Sequence, residues 1–189
     1  MTLAIRPLTS ERWPALADLF GKSGASNGCW CMYWRIGAAY RKRPRDRNKA
    51  AFRAVTKRGP PPGLLAFDGD LAVGWCQLTP RADLPWLERS RVAKRVDTLP
   101  VWSLSCFYVR RGYRRRGVAT ALIAAAVTAA RRAKAAALEA YPVDTGAPGC
   151  TANLFTGTAS AFARAGFKIV ARPAPTRAIM RHDLKAVVR

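Results

Sequence analysis

The fold of this chain is indicated by one stretch, Val101-Trp102-Ser103-Leu104-Ser105-Cys106-Phe107-Tyr108-Val109, and by the residues that follow it. The apolar, aromatic and β-branched side chains of this stretch predict a central β-strand. From Gly117 to Lys134 an Ala-rich run predicts a helix. The turn between them carries five arginines, at positions 110, 111, 114, 115 and 116. The stretch therefore predicts a strand, a basic turn and a helix in that order.

The residues before this unit predict two helices and three strands. Asp68-Gly69-Asp70 joins two of the strands and is typical of a hairpin turn, because Asp and Gly tolerate positive φ. A run of Gly and Pro at 59–63 stops regular structure, and residues 80–100 form a long polar connection. The predicted elements are strands at 3–8, 64–67 and 71–78 and helices at 11–20 and 46–57.

The residues after the unit predict a strand, a helix and two final strands. The strand spans 136–140, and the helix is capped by Thr156 or Thr158 and ends near Ala165. The last two strands are predicted at 167–171 and 178–181. The order combines hairpin-connected strands with strand–helix–strand units, and no linker or repeat divides it. We therefore expect one α+β domain that spans residues 1–189.

The composition is that of a folded and strongly basic protein. The 33 Lys and Arg residues outnumber the 11 Asp and Glu residues, for a net charge of +22, and half of all residues are apolar. That apolar content excludes general disorder. The longest nearly apolar run, 118–130, is shorter than the roughly 20 residues of a membrane-spanning helix, and the first residues lack a secretory-signal layout. We expect a soluble, cytoplasmic protein that attracts anions.

The five cysteines, at positions 29, 31, 76, 106 and 150, are not the even, regularly spaced set of a disulfide framework. Cys29 and Cys31 are close in sequence, but the single histidine, His182, is remote from them. No second close pair completes a zinc set. We expect reduced thiols and no bound metal.

The basic turn has the features of an anion-binding site. Where a strand leads through a glycine into a helix, backbone N–H groups converge at the helix N-terminus. Gly117 and Ala119 keep side-chain bulk away from such an anion. The turn lacks the Gly-Lys-Ser/Thr ending of a Walker A loop and two of the three glycines of a dinucleotide fingerprint. A solvated basic loop before an ordinary helix is the alternative.

In this strand–turn–helix setting, Arg114, Gly117 and Ala119 resemble the acetyl-CoA motif of the GNAT acetyltransferase superfamily, Arg/Gln-x-x-Gly-x-Gly/Ala. The run from Phe162 to Phe167 is similar to the second landmark of that family, a helix that ends on Gly-Phe. The resemblance covers the order of elements over most of the chain and is specific between residues 101 and 167. It implies a mixed central sheet of about six to seven strands with flanking helices.

The resemblance also implies a site for acetyl-CoA as co-substrate. The site would lie where two parallel strands, here 103–109 and 138–143, splay apart, with the thioester near Cys106 and Glu139. The pantetheine arm would pair with main-chain groups of Phe107, Tyr108 and Val109. The pyrophosphate would lie on the segment Arg114, Arg115, Arg116, Gly117, Val118, Ala119 and Thr120. An acceptor amine would attack the thioester directly, without an acyl-enzyme.

Two positions depart from the pattern of the family. Phe162 stands where many members carry the tyrosine that protonates the departing thiolate. Phe155 stands where many carry an asparagine, unless Asn153 takes that place. A thiol pKa of about 8.5 makes the thiolate a tolerable leaving group without an acid. Tyr108 and Tyr141, at strand ends near the expected cleft, are alternative proton donors.

An acceptor amine must lose a proton before it attacks, so a general base is expected. Glu139 is one candidate, because it interrupts an otherwise apolar strand beside the thioester, where its pKa would be raised. An outward-facing strand residue is an equal alternative. Asp144 is a second candidate, although a loop Asp more often forms a turn. Cys106 as a covalent nucleophile has no histidine near it in sequence.

The segment 29–34 is dense in aromatic residues and has no clear period. Trp30, Tyr33 and Trp34 line an acceptor pocket if they are partly exposed, and they pack the core beneath the helices if they are not. The acceptor itself is left open between a small-molecule amine and a protein amine.

These observations favour an N-acetyltransferase that uses acetyl-CoA and an amine in a ternary complex. One alternative is a basic nucleic-acid-binding protein, suggested by the charge of +22 and by the basic run 41–47. No nucleic-acid-binding signature accompanies that charge, which disfavours such a partner. The other alternative is a catalytically degenerate GNAT fold that binds CoA, suggested by Phe162. No membrane partner is expected, and a homodimer is left open.

Overall fold

Seven strands form one mixed sheet in the computed structural model, which describes residues 2–148, 150 and 153–184. In chain order the strands are β1 (Ala4–Pro7), β2 (Gly63–Asp68), β3 (Leu71–Pro80), β4 (Trp102–Val109), β5 (Ala137–Ala140), β6 (Lys168–Ala174) and β7 (Arg177–Asp183). Their order across the sheet is β1-β2-β3-β4-β5-β7-β6. β4 and β5 are parallel, whereas the other neighbouring pairs are antiparallel. The predicted α+β class with a mixed sheet is confirmed.

Helices cover both faces of the sheet. They are α1 (Trp13–Phe20), α2 (Tyr33–Ile36), α3 (Arg45–Arg58), α4 (Pro85–Arg89), α5 (Val118–Arg132) and α6 (Ala159–Arg164), with short 3-10 helices at Gly37–Lys42, Arg81–Asp83, Arg111–Tyr113 and Leu154–Thr156. Successive side chains of β2 show the division, because a strand points them to opposite faces. Leu64 packs with α5, and Leu65 packs with α1 and α3. The sheet therefore separates two cores.

α5 lies close to the sheet because residue 74 of β3 has no side chain. A Cβ at Gly74 would come within 2.5 Å of Val118 Cγ1 at the start of α5. This close approach brings the N-terminus of α5 down beside the end of β4. Glycine in a strand interior commonly marks such an approach.

Most predicted elements are found within a few residues of their predicted bounds. α2 and α4 were not predicted, and α4 lies within the predicted connection at 80–100. Thr158 is the N-cap residue of α6, and its Oγ1 accepts from the N–H of Ala161, as predicted. The predicted domain span of 1–189 includes residues outside the described ranges. Among the described residues, no helix has the length and apolar character needed to cross a membrane.

Candidate active site

β4 and β5 run side by side over only three residue pairs. Residues 102–104 pair with 138–140, and beyond Leu104 no described strand pairs with β4 on that side. The chain after β5 takes its main-chain bonds elsewhere, because Val143 N–H donates to Gly157 O at 2.9 Å and Ala159 N–H donates to Val143 O at 2.8 Å. The two strands diverge, as predicted, and beside residues 105–109 of β4 no described strand takes the place of β5; we call this side of β4 the gap.

A β-bulge at Ser105 marks the start of this gap. Consecutive residues of β3 pair with Leu104 and Cys106, so Ser105 has no residue opposite it. Ser105 Oγ donates to Gln77 Oε1 at 3.0 Å, and Ser105 O accepts from Trp34 Nε1 at 2.9 Å. A bulge bends its strand. The bend turns β4 away from β5 at this residue.

The turn after β4 has a left-handed backbone at two positions. Arg115 has φ of 60° and Gly117 has φ of 79°. A Cβ at Gly117 would meet no atom within 4 Å, so glycine is favoured here by the dihedral angle rather than by crowding. The first helical hydrogen bond of α5 runs from Ala121 N–H to Gly117 O at 2.9 Å. The N–H groups of 118–120 therefore have no acceptor within the helix. Such a turn orients successive N–H groups into an anion-binding nest.

Four of the five arginines of this turn form no ion pair with any described residue. Arg110 is the exception, because it pairs with Asp18 of α1. Arg114 donates Nε–H to Val109 O at 3.3 Å. The exposed arginines are Arg111, Arg114, Arg115 and Arg116. Their guanidinium groups are available to a phosphorylated ligand.

Glu139, the predicted general base, lies at the centre of a buried ion-pair network. The residue is 1% exposed. Its Oε1 accepts from Arg181 Nη2 at 2.7 Å, and its Oε2 accepts from Arg81 Nη1 at 3.4 Å and from the Tyr141 hydroxyl at 3.2 Å. The predicted apolar surroundings are therefore wrong, because two guanidinium groups and a phenol surround the carboxylate. The network joins β5 and β7 to the connection that follows β3.

Tyr141, predicted as a proton donor, belongs to the same network. Its hydroxyl accepts from Arg81 Nη1 at 2.8 Å and lies 2.8 Å from Ser103 Oγ. Burial raises the pKa of the Tyr141 phenol above its ordinary value. The hydroxyl is engaged by these neighbours and by Glu139, and this arrangement favours a structural role over proton transfer in the gap.

Tyr108, the third predicted catalytic residue, lies in the part of β4 that borders the gap. It is half-buried, and its ring packs edge-on against Phe20 of α1 with centroids 5.6 Å apart. Unlike the Tyr141 hydroxyl, the Tyr108 hydroxyl is not part of the Glu139 network. The role of Tyr108 as a proton donor stays a prediction.

Two thiols meet beside the bulge. Cys31 Sγ lies 3.9 Å from Cys106 Sγ, and Trp75 Nε1 donates to Cys31 Sγ at 3.0 Å. Burial raises the pKa of the Cys31 thiol well above its ordinary value. His182 lies on β7 against the ring of Phe167, where it is packed away from these thiols. The arrangement does not support a covalent cysteine nucleophile.

Trp30 and Trp34 are buried, so of the two alternatives left open by the sequence, core packing holds for both. Trp30 stacks on Trp13 with ring centroids 5.9 Å apart. Trp34 is 4% exposed, and its indole N–H is already bonded to β4. Tyr33 is half-buried and meets Phe155 edge-on at 6.0 Å. Tyr33 is thus the accessible member of the predicted set.

Both positions that depart from the pattern of the GNAT family lie in the last helix and the loop before it. Phe162 is fully buried among aromatic rings. Asn153 Oδ1 accepts from Phe155 N–H at 3.2 Å, which caps the adjacent 3-10 helix. Asp144 forms an exposed ion pair with Arg172 at 2.8 Å and accepts a main-chain N–H within its own turn. Asp144 is therefore a turn former in this structure.

Sequence reasoning missed the partners of Glu139. Arg81 and Arg181 lie 58 and 42 residues away from it along the chain. Arg81 is 3% exposed, which composition does not predict for an arginine in a polar connection. The one local signal was Glu139 itself, a charged residue in an apolar strand that required a buried partner.

Family comparison assigns the class of this fold and site. The family described as acetyltransferase (GNAT) matches residues 28–150, a span that includes β4, the basic turn, α5 and β5. The chain belongs to the GNAT acetyltransferase family. A comparison with curated protein sequences finds no match.

Solved structures share the fold at low sequence identity. The PaiA N-acetyltransferase from Thermoplasma acidophilum, in complex with coenzyme A, is 14% identical with a TM-score of 0.55, over 97% of this chain and 99% of that one. YncA, a putative acetyltransferase from Salmonella typhimurium with its cofactor acetyl-CoA, is 14% identical with a TM-score of 0.55, and the match covers 100% of this chain and 98% of that one. A protein from Corynebacterium glutamicum, described as histone acetyltransferase HPA2 and related acetyltransferase, is 18% identical with a TM-score of 0.58 and full coverage of both chains.

Proposed function

We propose that this chain transfers the acetyl group of acetyl-CoA to an amine in a ternary complex. The gap beside residues 105–109 of β4 carries the proposal, because it leads into the left-handed turn and the N-terminus of α5. The PaiA and YncA structures, which share the fold, contain coenzyme A and acetyl-CoA respectively, and this supports the same co-substrate here.

The residues around the gap fit the chemistry of coenzyme A. Pantetheine contains amide groups, and the main chain of Phe107, Tyr108 and Val109 borders the side of β4 that no described strand occupies. The pyrophosphate is anionic and matches the N–H groups of 115–120 at the α5 N-terminus. Arg114 and its exposed neighbours supply charge for the remaining phosphate.

Acetyl-CoA supplies an activated thioester, and the acceptor supplies the nucleophile. The neutral amine forms a C–N bond to the carbonyl carbon, the C–S bond breaks, and the amine loses one proton as the thiolate leaves. Direct attack is favoured over an acyl-enzyme because the pKa of the Cys31 thiol is raised by burial and the Cys31–Cys106 pair has no imidazole beside it.

Few side chains in this site are free to donate or accept a proton during the reaction. We assign Glu139 and Tyr141 to a structural role rather than to catalysis, because both are engaged in a buried network. The amine then loses its proton to water, and the acidic limb of the rate profile follows the pKa of each acceptor. Tyr108 is the candidate acid for the thiolate. Tyr108→Phe, which removes only a hydroxyl, is expected to lower turnover with acetyl-CoA and to do so less with a more acidic leaving thiol.

The acceptor is expected to approach from the face of the sheet covered by α1, α2 and α3. Tyr33 and Phe155 pack against each other there, and Tyr33 is partly accessible. We propose that they border the acceptor entrance.

A second candidate function, nucleic-acid binding, is favoured by one observation. Four exposed cations follow one another at four-residue intervals along α3, and none forms an ion pair with a described residue: Arg45, Lys49, Arg53 and Lys57. Like charges at this spacing destabilise an isolated helix. Binding of duplex DNA with a steep salt dependence, without any acetyl-CoA binding, would support this candidate over the first.

Chromatographic detection of acetylated product with a broad amine panel tests the proposed function. Product detection is preferable to thiol reagents because the chain has five cysteines of its own. Acetylation of at least one amine, abolished when acetyl-CoA is omitted, is expected. Acetyl-CoA binding without turnover of any amine would instead indicate the degenerate fold.

A further inference from the structure

A second cationic site lies outside the proposed acetyl-CoA gap. A cleft of about 140 Å³ opens where α2, the end of α3 and the end of β3 meet. Arg35 and Arg58 line it together with Thr79 and Asp83. Thr79 pairs with Ser103, on the side of the bulge where β4 and β5 are still joined. The cleft is therefore distinct from the gap that begins at Ser105.

Arg35 has one buried N–H group whose hydrogen-bonding capacity no described residue uses. Its Nη1 donates to Asp83 O at 3.0 Å, but its Nε–H is buried and has no hydrogen-bond acceptor among the described residues. A buried donor without an acceptor costs about 1–3 kcal/mol. Binding of an oxyanion, with a small shift of the Arg35 side chain that opens the buried Nε–H to the cleft, would satisfy this donor and recover that cost.

The charges around the cleft also favour binding of an anion. Burial, and secondarily the neighbouring Arg58, lower the pKa of the Arg35 guanidinium, while Asp83 opposes the shift. Thr79 Oγ1 donates to Asp83 Oδ2 at 2.9 Å, so part of that carboxylate is already engaged. Two guanidinium groups against one carboxylate leave the cleft with a net positive charge.

We propose that Arg35 and Arg58 bind a small oxyanion, a carboxylate or a phosphate, in this cleft. Its size suits a ligand of a few heavy atoms rather than a nucleotide, since sites for drug-sized ligands run to about 300–1,000 Å³. The cleft includes the C-terminal end of α3, whose carbonyl groups repel an anion. The attraction must then come from the two guanidinium groups, and loss of either should abolish most of the binding.

NMR observation of the Arg35 Nε–H resonance tests this site directly. Acetate, inorganic phosphate and glycine are titrated separately at constant ionic strength, which distinguishes a carboxylate, a phosphate and an amino acid as ligand. Arg35→Gln assigns the resonance. In wild type a saturable shift is expected with at least one probe. The same titration of Arg58→Gln should show at least tenfold weaker binding.

Two controls separate this site from the overall charge and from the cofactor turn. Arg53→Gln removes one exposed charge from α3 outside the cleft and should leave the titration unchanged. Arg114→Ala weakens the cofactor turn and should also leave it unchanged. The proposal is overturned if no probe shifts the Arg35 resonance, or if Arg53→Gln weakens the effect as much as Arg58→Gln does. Neither outcome depends on acetyl transfer, so the proposed function is judged separately.

Discussion

Arginine is used in two opposite ways on either side of the β4–β5 junction. At the turn before α5, four arginines are exposed and form no ion pair with a described residue. In the network around Glu139, Arg81 is buried and Arg181 is nearly so, and both are paired with carboxylates. One set has charge available for a ligand, and the other has its charge neutralised within the fold.

The difference shows how to separate ligand binding from structure in a chain with a net charge of +22. A buried pair that loses one partner leaves an uncompensated charge, so its variants should affect stability first. An exposed cation contributes little to folding, so its variants should affect ligand affinity first.

The largest effect is expected from Glu139→Gln. Removing the carboxylate charge leaves Arg81 and Arg181 undercompensated, which should lower the free energy of unfolding by about 3–5 kcal/mol. Urea unfolding followed by circular dichroism measures this loss. Turnover per folded molecule and its pH profile should stay close to wild type. Asp144→Asn, at an exposed ion pair, is the matched control and should change neither quantity.

Glu139 would instead be the general base if Glu139→Gln kept wild-type stability, lost turnover by about 10²–10⁴-fold and lost the acidic limb of the pH–rate profile. That result would also remove the contrast between the two sets of arginines.

Gly117→Val should weaken acetyl-CoA binding more than any single arginine variant of the turn. A left-handed backbone costs a non-glycine residue about 1–3 kcal/mol. The free variant relaxes from this geometry and must regain it to bind, so an affinity loss of roughly 5–150-fold is expected by calorimetry. Gly112→Ala is the control, because Gly112 lacks a positive φ and has open space around its Cα. Equal affinity in the two variants would show that the turn does not hold the phosphates.

Arg114→Ala should reduce acetyl-CoA affinity by roughly 1 kcal/mol, about fivefold, with unchanged unfolding. The loss should shrink as salt rises, because exposed charges are screened. Arg131→Ala, at the exposed far end of α5, removes the same charge and should leave affinity unchanged. A stability loss for Arg114→Ala without an affinity loss would contradict the proposed ligand role.

The smallest effect is a difference in alkaline stability between wild type and Tyr141→Phe. Burial raises the pKa of the Tyr141 phenol, so its contribution is complete below the ordinary value of about 10 and is lost as pH rises above it. The variant lacks this proton, so its free energy of unfolding should fall less steeply above pH 10. Buried thiols contribute equally to both proteins and cancel in the difference. Parallel curves would show that the phenol is not buried as described.

Local patterns predicted the long elements and the turn before α5 well. α5 was predicted at 117–134 and lies at 118–132, because its Ala-rich composition and its initial glycine are local signals. The surroundings of Glu139 could not be predicted in this way, since Arg81 and Arg181 reach it only through the sheet topology. For the same reason, the sequence could not decide whether Trp30 and Trp34 are exposed or buried. Tertiary contacts decide burial, and sequence spacing does not report them.

Amide chemical shifts recorded with and without acetyl-CoA give the sharpest test that the gap and the turn before α5 bind the co-substrate. We expect the amides of 105–109 and 115–120 to shift on binding and those of α3 to stay unchanged. These shifts should disappear at the same ligand concentration in Gly117→Val and persist in Gly112→Ala. Shifts confined to α3, or no shifts at any acetyl-CoA concentration, would contradict the proposed function.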